Sequence, residues 1–269
     1  MYEEPYRWVE AVGNRRQYLD EQFKQGSPVV GVAYETGILL MTMNKGTPKL
    51  YEVYDRLGLG GMGHPADLEK LRFNLLEMAH VEGFNRSPSD VTGGRLVKYG
   101  IAPVIKQAFE EVFKAPFIVK ILLVELGQKS GKDSFLTINY DGTFEEKSRY
   151  AVLAASSAIE QEMTAYLKQQ PIASLEEAIG SAIRTLALGD RAQRHALEEG
   201  GEHGDVRTGS DQQPVDSETL YAHMRQCLAD KTIECALLDR QMQGPTKYRT
   251  ISLDELGKVL PGHLVTPLT

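Results

Sequence analysis

Four short apolar runs follow one another early in the chain and predict a β-sheet. Val29–Tyr34 and Ile38–Met43 flank a Glu-Thr-Gly turn, and Gly37 lies where a tight hairpin needs a residue that tolerates positive φ. Leu50–Tyr54 and Leu57–Gly61 meet at an Asp-Arg pair, which indicates a second hairpin. The first helices of the main domain begin after these runs, so they are expected to pack on a sheet that precedes them.

Apolar residues three and four positions apart predict helices before and after this sheet. Pro103 lies inside one of these patterns and indicates a kink or an early break there. Ser174 and Glu177 have the spacing of a capping box at the start of another. The expected helices cover Tyr6–Lys24, Ala66–Glu82, Thr92–Pro116, Ile159–Leu167, Leu175–Leu186, Ser217–Ala229 and Ser252–Leu260.

Further apolar runs predict four more strands, which are Phe117–Leu126, Ser134–Tyr140, Thr232–Leu238 and Lys247–Ile251. The order is therefore strands, two helices, strands, two helices and strands. Hairpin spacing within the strand groups favours antiparallel pairing, and paired helices argue against a doubly wound parallel sheet. The fold class we predict is α+β, a four-layer αββα sandwich of two antiparallel sheets.

The same pattern predicts one domain with a leading and a trailing segment. Residues 1–26 contain the first helix, 27–260 form the αββα domain, and 261–269 form a frayed tail. Residues 191–214 are polar and aperiodic, which indicates a surface loop or a disordered insert. The leading helix cannot belong to the crossovers of the sheet, so its apolar face either packs on its own core or contacts another subunit.

Composition narrows the function classes. The formal net charge is −7 and no basic stripe is visible, which argues against nucleic-acid and anionic-membrane partners. The longest apolar stretch, Phe117–Leu126, carries charged residues and is too short to span a bilayer. The first twelve residues lack the pattern of a secretory signal, and the two cysteines form no CxxC pair. We expect a cytoplasmic protein.

Gly58, Gly60 and Gly63 spell G-x-G-x-x-G between a strand and a helix, the spacing of a dinucleotide-binding loop. That loop requires a parallel strand to return after a single crossover helix, whereas two helices follow here. We therefore interpret these glycines as sites of close packing. The six histidines are scattered, with His195 and His203 sharing a polar loop, so no metal site and no cofactor are predicted.

Several segments together resemble the proteasome subunit family, and most closely the α-type subunits of bacterial proteasomes. They are GSPVVGVAY, LYEVYDRLGLGGMG, LEKLRFNLLEMAHVEGF, DVTGGRLVK, NYDGT and LLDRQ. Their order and spacing carry the resemblance, which covers about residues 6–251. It implies the N-terminal nucleophile (Ntn) hydrolase fold, in agreement with the predicted αββα sandwich.

The resemblance also implies partners and site residues. Such subunits form seven-membered rings that cap rings of catalytic β subunits and gate the channel to the proteolytic chamber. Lys49, which follows Pro48 and precedes a strand, would contact the C-terminal carboxylate of a ring-shaped AAA-type ATPase, and Gly63 would line the same pocket. The gate would consist of the first residues, Met1, Tyr2, Glu3 and Glu4.

A catalytic alternative rests on Ser27. Gly26-Ser27 matches the place where catalytic subunits of this family cleave themselves to expose an N-terminal nucleophile, and Lys49 would then support that nucleophile. However, Pro28 follows Ser27, and Met43 fills the position where catalytic subunits carry an acidic residue. A thioether cannot orient a proton transfer. The resemblance therefore favours a non-catalytic α-type subunit, with a self-processing hydrolase as the alternative.

Overall fold

The computed structural model of the chain describes residues 4–111, 113–129, 131–199 and 216–260. Its strands are β1 (Val29–Tyr34), β2 (Gly37–Asn44), β3 (Leu50–Tyr54), β4 (Leu57–Gly63), β5 (Val119–Glu125), β6 (Ser134–Ile138), β7 (Phe144–Lys147), β8 (Tyr150–Leu153), β9 (Thr232–Asp239) and β10 (Tyr248–Thr250). Its helices are α1 (Glu4–Phe23), α2 (Pro65–Asn85), α3 (Gly93–Leu96), α4 (Ala102–Glu110), α5 (Ser157–Lys168), α6 (Leu175–Glu199), α7 (Ser217–Cys227) and α8 (Leu253–Val259).

The strands form two five-stranded antiparallel sheets. The first sheet has the order β10-β9-β2-β1-β8, and the second has the order β3-β4-β5-β6-β7. Both predicted hairpins are present. Tyr34 at the end of β1 pairs with Gly37 at the start of β2, and Tyr54 at the end of β3 pairs with Leu57 at the start of β4.

Three apolar layers hold the sheets and helices together. One layer lies between the first sheet and α5, α6, α7 and α8, and a second between the other sheet and α2, α3 and α4. The third lies between the two sheets and includes Val29, Leu40 and Leu122. This arrangement confirms the predicted αββα sandwich, because each sheet buries both of its faces.

The leading helix α1 packs on its own chain. Leu19 and Phe23 are fully buried in the layer between the sheets, and the Phe23 ring stacks on Tyr140 at a centroid distance of 5.8 Å. The Arg15 guanidinium donates to the carbonyl oxygens of Phe109 (2.8 Å) and Glu111 (2.6 Å) at the end of α4. Of the two possibilities for this helix, contact with its own core is observed.

The hairpin at Gly37 forms as predicted, but the reason for a glycine at this position differs from the expected one. Gly37 does not have positive φ. A Cβ at this position would instead lie 2.2 Å from the carbonyl oxygen of Leu238 on the neighbouring strand β9. Glycine is therefore required here by close approach of two backbones and not by the turn conformation.

The region around Pro103 is a broken helix. A π-helical turn, Val97–Ile101, separates α3 from α4, and the N–H of Ala102 donates to the carbonyl of Val97. Proline has no N–H to donate within a helix, and a π-turn is a common way to absorb such an interruption. The single helix expected over Thr92–Pro116 is thus divided, as the early break at Pro103 suggested.

Two strands were missing from the sequence interpretation. β7 is a polar, largely exposed edge strand, so its sequence Phe-Glu-Glu-Lys shows no apolar alternation. β8 is a four-residue strand that pairs with β1 in the other sheet. Only the apolar run Tyr150–Leu153 could have indicated it.

The first part of the insert predicted over residues 191–214 is helical and not a loop. α6 continues through Arg191 to Glu199, because Gln193 is buried against the body of the protein and extends the apolar side of the helix. Residues 200–215 lie outside the described part of the chain, as do Met1, Tyr2 and Glu3 and the tail 261–269. Glu4 is the first residue of α1.

Candidate functional site

Lys49 is half-buried in the loop between β2 and β3, and its backbone is held by one carboxylate. The N–H of Lys49 donates to both oxygens of Glu234 (3.1 and 2.9 Å), and the N–H of Leu50 donates to one of them (2.8 Å). The Asn44 side chain donates to Glu234 as well (2.7 Å). Glu234 on β9 therefore fixes the direction in which the loop enters β3.

The amine of Lys49 is in an unusual electrostatic setting. Burial, followed by the positive charge of Lys231, lowers the pKa of Lys49 to about 8, although Glu234 acts in the opposite sense. Within the described ranges, no hydrogen bond or ion pair joins the Lys49 Nζ to another side chain. A partly desolvated ammonium of this kind is suited to accept an anionic partner from outside the chain.

Gly63 lies at the same end of the second sheet as Lys49. The N–H of Gly61 donates to the carbonyl of Lys49 (2.9 Å), and Gly63 is two residues further along β4. Its φ is 129°, and a Cβ would lie 2.0 Å from the carbonyl oxygen of Ile118. Both conditions require glycine.

A cavity of about 480 Å³ begins beside Gly63, at His64, between α1, α2 and the end of α4. Lys70 and Phe117 line it, with the Lys70 Nζ 5.1 Å from the centre of the Phe117 ring. Lys49 is not among the described residues that line this cavity. A single pocket shared by Lys49 and Gly63 therefore remains a prediction.

The glycines of β4 serve close packing. A Cβ at Gly60 would lie 2.8 Å from the Val29 side chain in the other sheet, and a Cβ at Gly61 would lie 2.3 Å from Leu68 of α2. β4 is antiparallel to both of its neighbours, so the parallel return strand of a dinucleotide site is absent from this described sheet. The packing interpretation of the G-x-G-x-x-G spacing agrees with this geometry.

Ser27 is 5% exposed and follows a segment that is integrated into the fold. The N–H of Gly26 donates to the carbonyl of Phe23 (2.9 Å), and the carbonyl of Gly26 accepts from the Gln193 side chain (2.6 Å). Met43 is fully buried among apolar side chains. Ser27 is linked to Gly26 in this chain and has no free amine. The position where a catalytic subunit would carry an acidic residue is occupied by Met43.

Lys120 is a buried cation that the sequence analysis did not single out. Its Nζ donates to the carbonyl of Ala154 (2.7 Å) and to Glu160 (3.1 Å), and lies 5.4 Å from the centre of the Phe23 ring. The signal in the sequence was a single lysine within the apolar run of β5. Lys120 therefore joins β5 to the end of β8, to α5 and to the last turn of α1.

A second missed group surrounds Asp190 on α6. His223 Nε2 donates to Asp190 Oδ2 (3.0 Å), and the Cys227 thiol donates to the same oxygen (3.2 Å). Arg194 donates to Oδ2 (2.7 Å) and Lys231 to Oδ1 (2.7 Å). His223 and Cys227 are four positions apart on α7, a spacing that the analysis of scattered histidines overlooked.

The chemistry of this group is that of an internal ion-pair cluster. Asp190, His223 and Cys227 offer three ligand atoms within 4.8 Å of one another, but Arg194 and Lys231 already bring two positive charges to the carboxylate. Burial, followed by the charge of Asp190, raises the pKa of Cys227 to about 12, so the thiol stays protonated. A cation or a thiolate nucleophile is therefore disfavoured here.

Burial alone would raise the pKa of Asp190. Hydrogen bonds from His223, Lys231 and Cys227, together with the charge of Lys231, overcome that effect and hold the pKa well below its usual range. Asp190 is thus a buried carboxylate that stays charged.

None of the helices in the described ranges has the length and apolar character that crossing a membrane requires.

Comparison with known proteins assigns the family. Residues 23–199 match the family model for the proteasome subunit, and this chain belongs to the proteasome subunit family. It is similar to proteins named proteasome subunit alpha. That of Saccharopolyspora erythraea is 33% identical over 67% of this chain and 70% of the relative. That of Streptosporangium roseum is 30% identical over 69% and 72%, and that of Salinispora arenicola is 28% identical over 90% and 80%.

Proposed function

We propose that this chain is a non-catalytic α-type subunit of a bacterial proteasome. It would form a homo-oligomeric outer ring, stack on a ring of catalytic β subunits and gate substrate entry, with Met1, Tyr2, Glu3 and Glu4 at the gate. The relatives named proteasome subunit alpha support this assignment. Free, buried cysteines are consistent with a cytoplasmic location.

The observation that carries the non-catalytic role is the packing of α1. A catalytic Ntn hydrolase needs a free amine on its nucleophile, and that requires removal of everything before Ser27. Here Leu19 and Phe23 fill the layer between the sheets, and Gln193 binds the carbonyl that immediately precedes Ser27. Retention of α1 completes the core, which is what a structural subunit needs.

We further propose that the C-terminal carboxylate of a ring-shaped AAA-type ATPase docks at Lys49, with Gly63 allowing close approach of the tail. The Lys49 amine is half-buried and directed by the loop that Glu234 holds. A charge-assisted hydrogen bond to a carboxylate would satisfy this amine. No cofactor or metal has a role in this function.

The experiment that tests the subunit assignment is native mass spectrometry of the full chain, alone and co-expressed with a β subunit from the same organism. We expect an intact chain in a mixed assembly, with peptidase activity that depends on the β subunit. A chain that starts at Ser27 and cleaves peptides without β subunits would contradict the proposal and make Ser27 the nucleophile.

The docking role is tested separately with Lys49→Ala. We expect unchanged ring assembly and weaker retention of the partner ATPase in a pull-down, because the ammonium that meets the tail is lost. Lys45→Ala is the matched control, since Lys45 lies in the same loop but is 67% exposed and pairs with Asp230. Equal retention by the two variants would argue against Lys49 as the docking residue.

A further inference from the structure

The Glu234 side chain on β9 reaches from the first sheet to the loop that carries Lys49. Its Oε1 accepts the N–H groups of Lys49 (3.1 Å) and Leu50 (2.8 Å), and its Oε2 also accepts the N–H of Lys49 (2.9 Å). Hydrogen bonds from backbone N–H groups to a carboxylate are charge-assisted and stronger than neutral ones. One acidic side chain of the first sheet therefore holds the start of β3, an edge strand of the second sheet.

Glu234 is in turn held by Asn44, the last residue of β2. The Asn44 amide nitrogen donates to Glu234 Oε2 (2.7 Å), and its oxygen accepts from the N–H of Gly46 (3.0 Å). Gly46 has a φ of 99°, a conformation that favours glycine. Asn44 therefore joins Glu234 to the turn that precedes Lys49.

The remaining main-chain groups next to the Lys49 side chain also have partners. The carbonyl of Lys49 accepts from the N–H of Gly61 (2.9 Å), and the carbonyl of Pro48 accepts from the Tyr51 hydroxyl (2.7 Å). Both polar main-chain groups of Lys49 are thus used, so the point at which its side chain leaves the backbone is fixed. A side chain that is oriented in advance loses less conformational freedom when it binds a partner.

The charge of Glu234 and its hydrogen bonds have opposite effects on an anionic partner. A carboxylate repels an incoming carboxylate, so Glu234 acting by charge alone would weaken docking at Lys49. Glu234 acting through its hydrogen bonds would strengthen docking, because it orients the amine. Removal of the side chain therefore changes docking in opposite directions under the two roles.

We propose that Glu234 is the positioning residue of Lys49, that it orients the Lys49 amine for a terminal carboxylate through hydrogen bonds to the backbone, and that Asn44 orients Glu234. This inference rests on the proposed docking role of Lys49. It assigns part of that site to a residue 185 positions away in the sequence. The acceptor geometry of Glu234 is what matters, and its charge acts against the bound carboxylate.

The test measures the amine of Lys49 directly in the assembled full-length protein. Competitive acetylation with acetic anhydride, followed by mass spectrometry, gives the protection of Lys49 as a function of probe concentration. The probe is acetyl-trialanine, used as the free acid and as the C-terminal amide. The pH is about 6.5, well below the Lys49 pKa of about 8, so that the amine is charged. We expect the acid to protect Lys49 at a concentration at least several-fold lower than the amide.

Glu234→Ala and Glu234→Gln separate geometry from charge. We expect Glu234→Ala to raise the concentration of acid that gives half-protection about three- to ten-fold, because the loop loses its acceptor, while protection by the amide stays unchanged. Glu234→Gln keeps an acceptor for the N–H groups of Lys49 and Leu50 and removes the charge. Its protection by the acid should equal that of the unaltered protein or be up to about three-fold stronger.

Asp230→Asn is the matched control for the loss of a negative charge. Asp230 is 56% exposed and pairs with Lys45 of the same loop, and no hydrogen bond joins its side chain to the loop backbone in the described ranges. We expect it to change protection by the acid by less than about two-fold, because solvent screens the charge.

The outcomes separate this inference from the docking role. Equal protection by acid and amide in the unaltered protein would contradict docking of a carboxylate at Lys49. Acid-selective protection that Glu234→Ala leaves unchanged or strengthens would overturn the role of Glu234 alone, as would an equal loss in Glu234→Gln. If Glu234→Ala does not assemble, Asn44→Ala releases Glu234 and is judged by the same measurements, with weaker protection by the acid as the expected result.

Discussion

Single buried side chains determine how this domain handles charge and space. Lys120 and Asp190 are charged groups with several hydrogen-bond partners each, and Lys49 is a half-buried cation without a described side-chain partner. Gly61 and Gly63 are positions where a Cβ has no room. Lys120 and Asp190 have hydrogen-bond partners within the chain and serve the structure. The Lys49 amine has no described side-chain partner, and Lys49 is the candidate binding residue.

Gly61→Ala tests the packing interpretation of the β4 glycines. We expect it to lower the free energy of unfolding by about 1–3 kcal/mol, because the new Cβ would overlap the buried Leu68 side chain. Gly13→Ala is the control on α1, where nothing lies within 4 Å of a new Cβ, and it should stabilise by up to about 1 kcal/mol. Thermal unfolding midpoints that rise for both variants would exclude close packing at Gly61.

Asp190→Asn tests the buried ion-pair cluster. We expect a loss of about 3–5 kcal/mol in unfolding free energy, because the buried Lys231 loses its counter-charge. The low pKa of Asp190 means that its contribution is complete above about pH 4, the range of a free aspartate, and is lost as the pH falls further. The variant should therefore show a smaller decline in stability upon acidification.

The control for Asp190→Asn is Glu110→Gln, which removes an exposed pair with Lys106 on α4. Exposed pairs of this kind contribute less than about 1 kcal/mol. Urea unfolding between pH 3 and pH 7 compares the variants. A similar loss in both, or an unchanged pH profile in Asp190→Asn, would show that the cluster does not stabilise the fold electrostatically.

The connection between α1 and α4 is the most informative feature at the scale of secondary-structure elements. The last carbonyls of a helix lack intrahelical donors, and a guanidinium can satisfy several of them at once. Arg15 donates to the carbonyls of Ala108, Phe109, Glu111 and Lys114. One side chain thus joins the leading helix to the helical layer that covers the second sheet.

Arg15→Ala is expected to loosen α1 while leaving the two sheets intact. Hydrogen–deuterium exchange should increase in the first half of α1 and at the end of α4, because the carbonyls lose a common donor. Arg16→Ala is the neighbouring control, since Arg16 is 53% exposed, pairs with Asp141 at 3.4 Å and lies 5.6 Å from the Phe109 ring centre, but donates to none of the described carbonyls at the end of α4. Faster exchange in both variants to the same extent would mean that Arg15 has no special role.

For the molecule as a whole, α1 completes the sandwich at the end where Ser27, Lys49 and Gly63 lie. Leu19 and Phe23 belong to the same apolar layer as Leu50 and Met62. Burial of two such side chains contributes about 3–6 kcal/mol. The leading segment is therefore part of the domain in energetic terms, although the sequence pattern separated residues 1–26 from 27–260.

A chain that begins at Ser27, after an initiator methionine that is removed, tests this conclusion. We expect it to unfold at a lower temperature and to bind a hydrophobic dye, because the layer between the sheets opens to solvent. The full-length chain is the reference in both measurements. A stable truncated chain with peptidase activity would instead favour the self-processing alternative.

Much of the fold could be predicted because its signals are local. Apolar periodicity, turn residues and the Ser174 and Glu177 capping box indicate helices and hairpins within a few residues of one another. β7 escaped prediction because an exposed edge strand has no apolar alternation. The end of α6 escaped it because Gln193 is a polar residue that becomes buried only against the distant Gly26 and Ala155.

The sequence by itself determined the order of most elements, though not β7 and β8, together with the αββα class and the resemblance that singled out Lys49, Gly63 and Ser27, since each depends mainly on local patterns in the chain. The tertiary structure alone decided that α1 fills the core, that Asp190 gathers His223, Cys227, Arg194 and Lys231, and that Lys231 lowers the pKa of Lys49. The physical reason is that burial and charge act through space, and the groups concerned come from segments that only folding brings together.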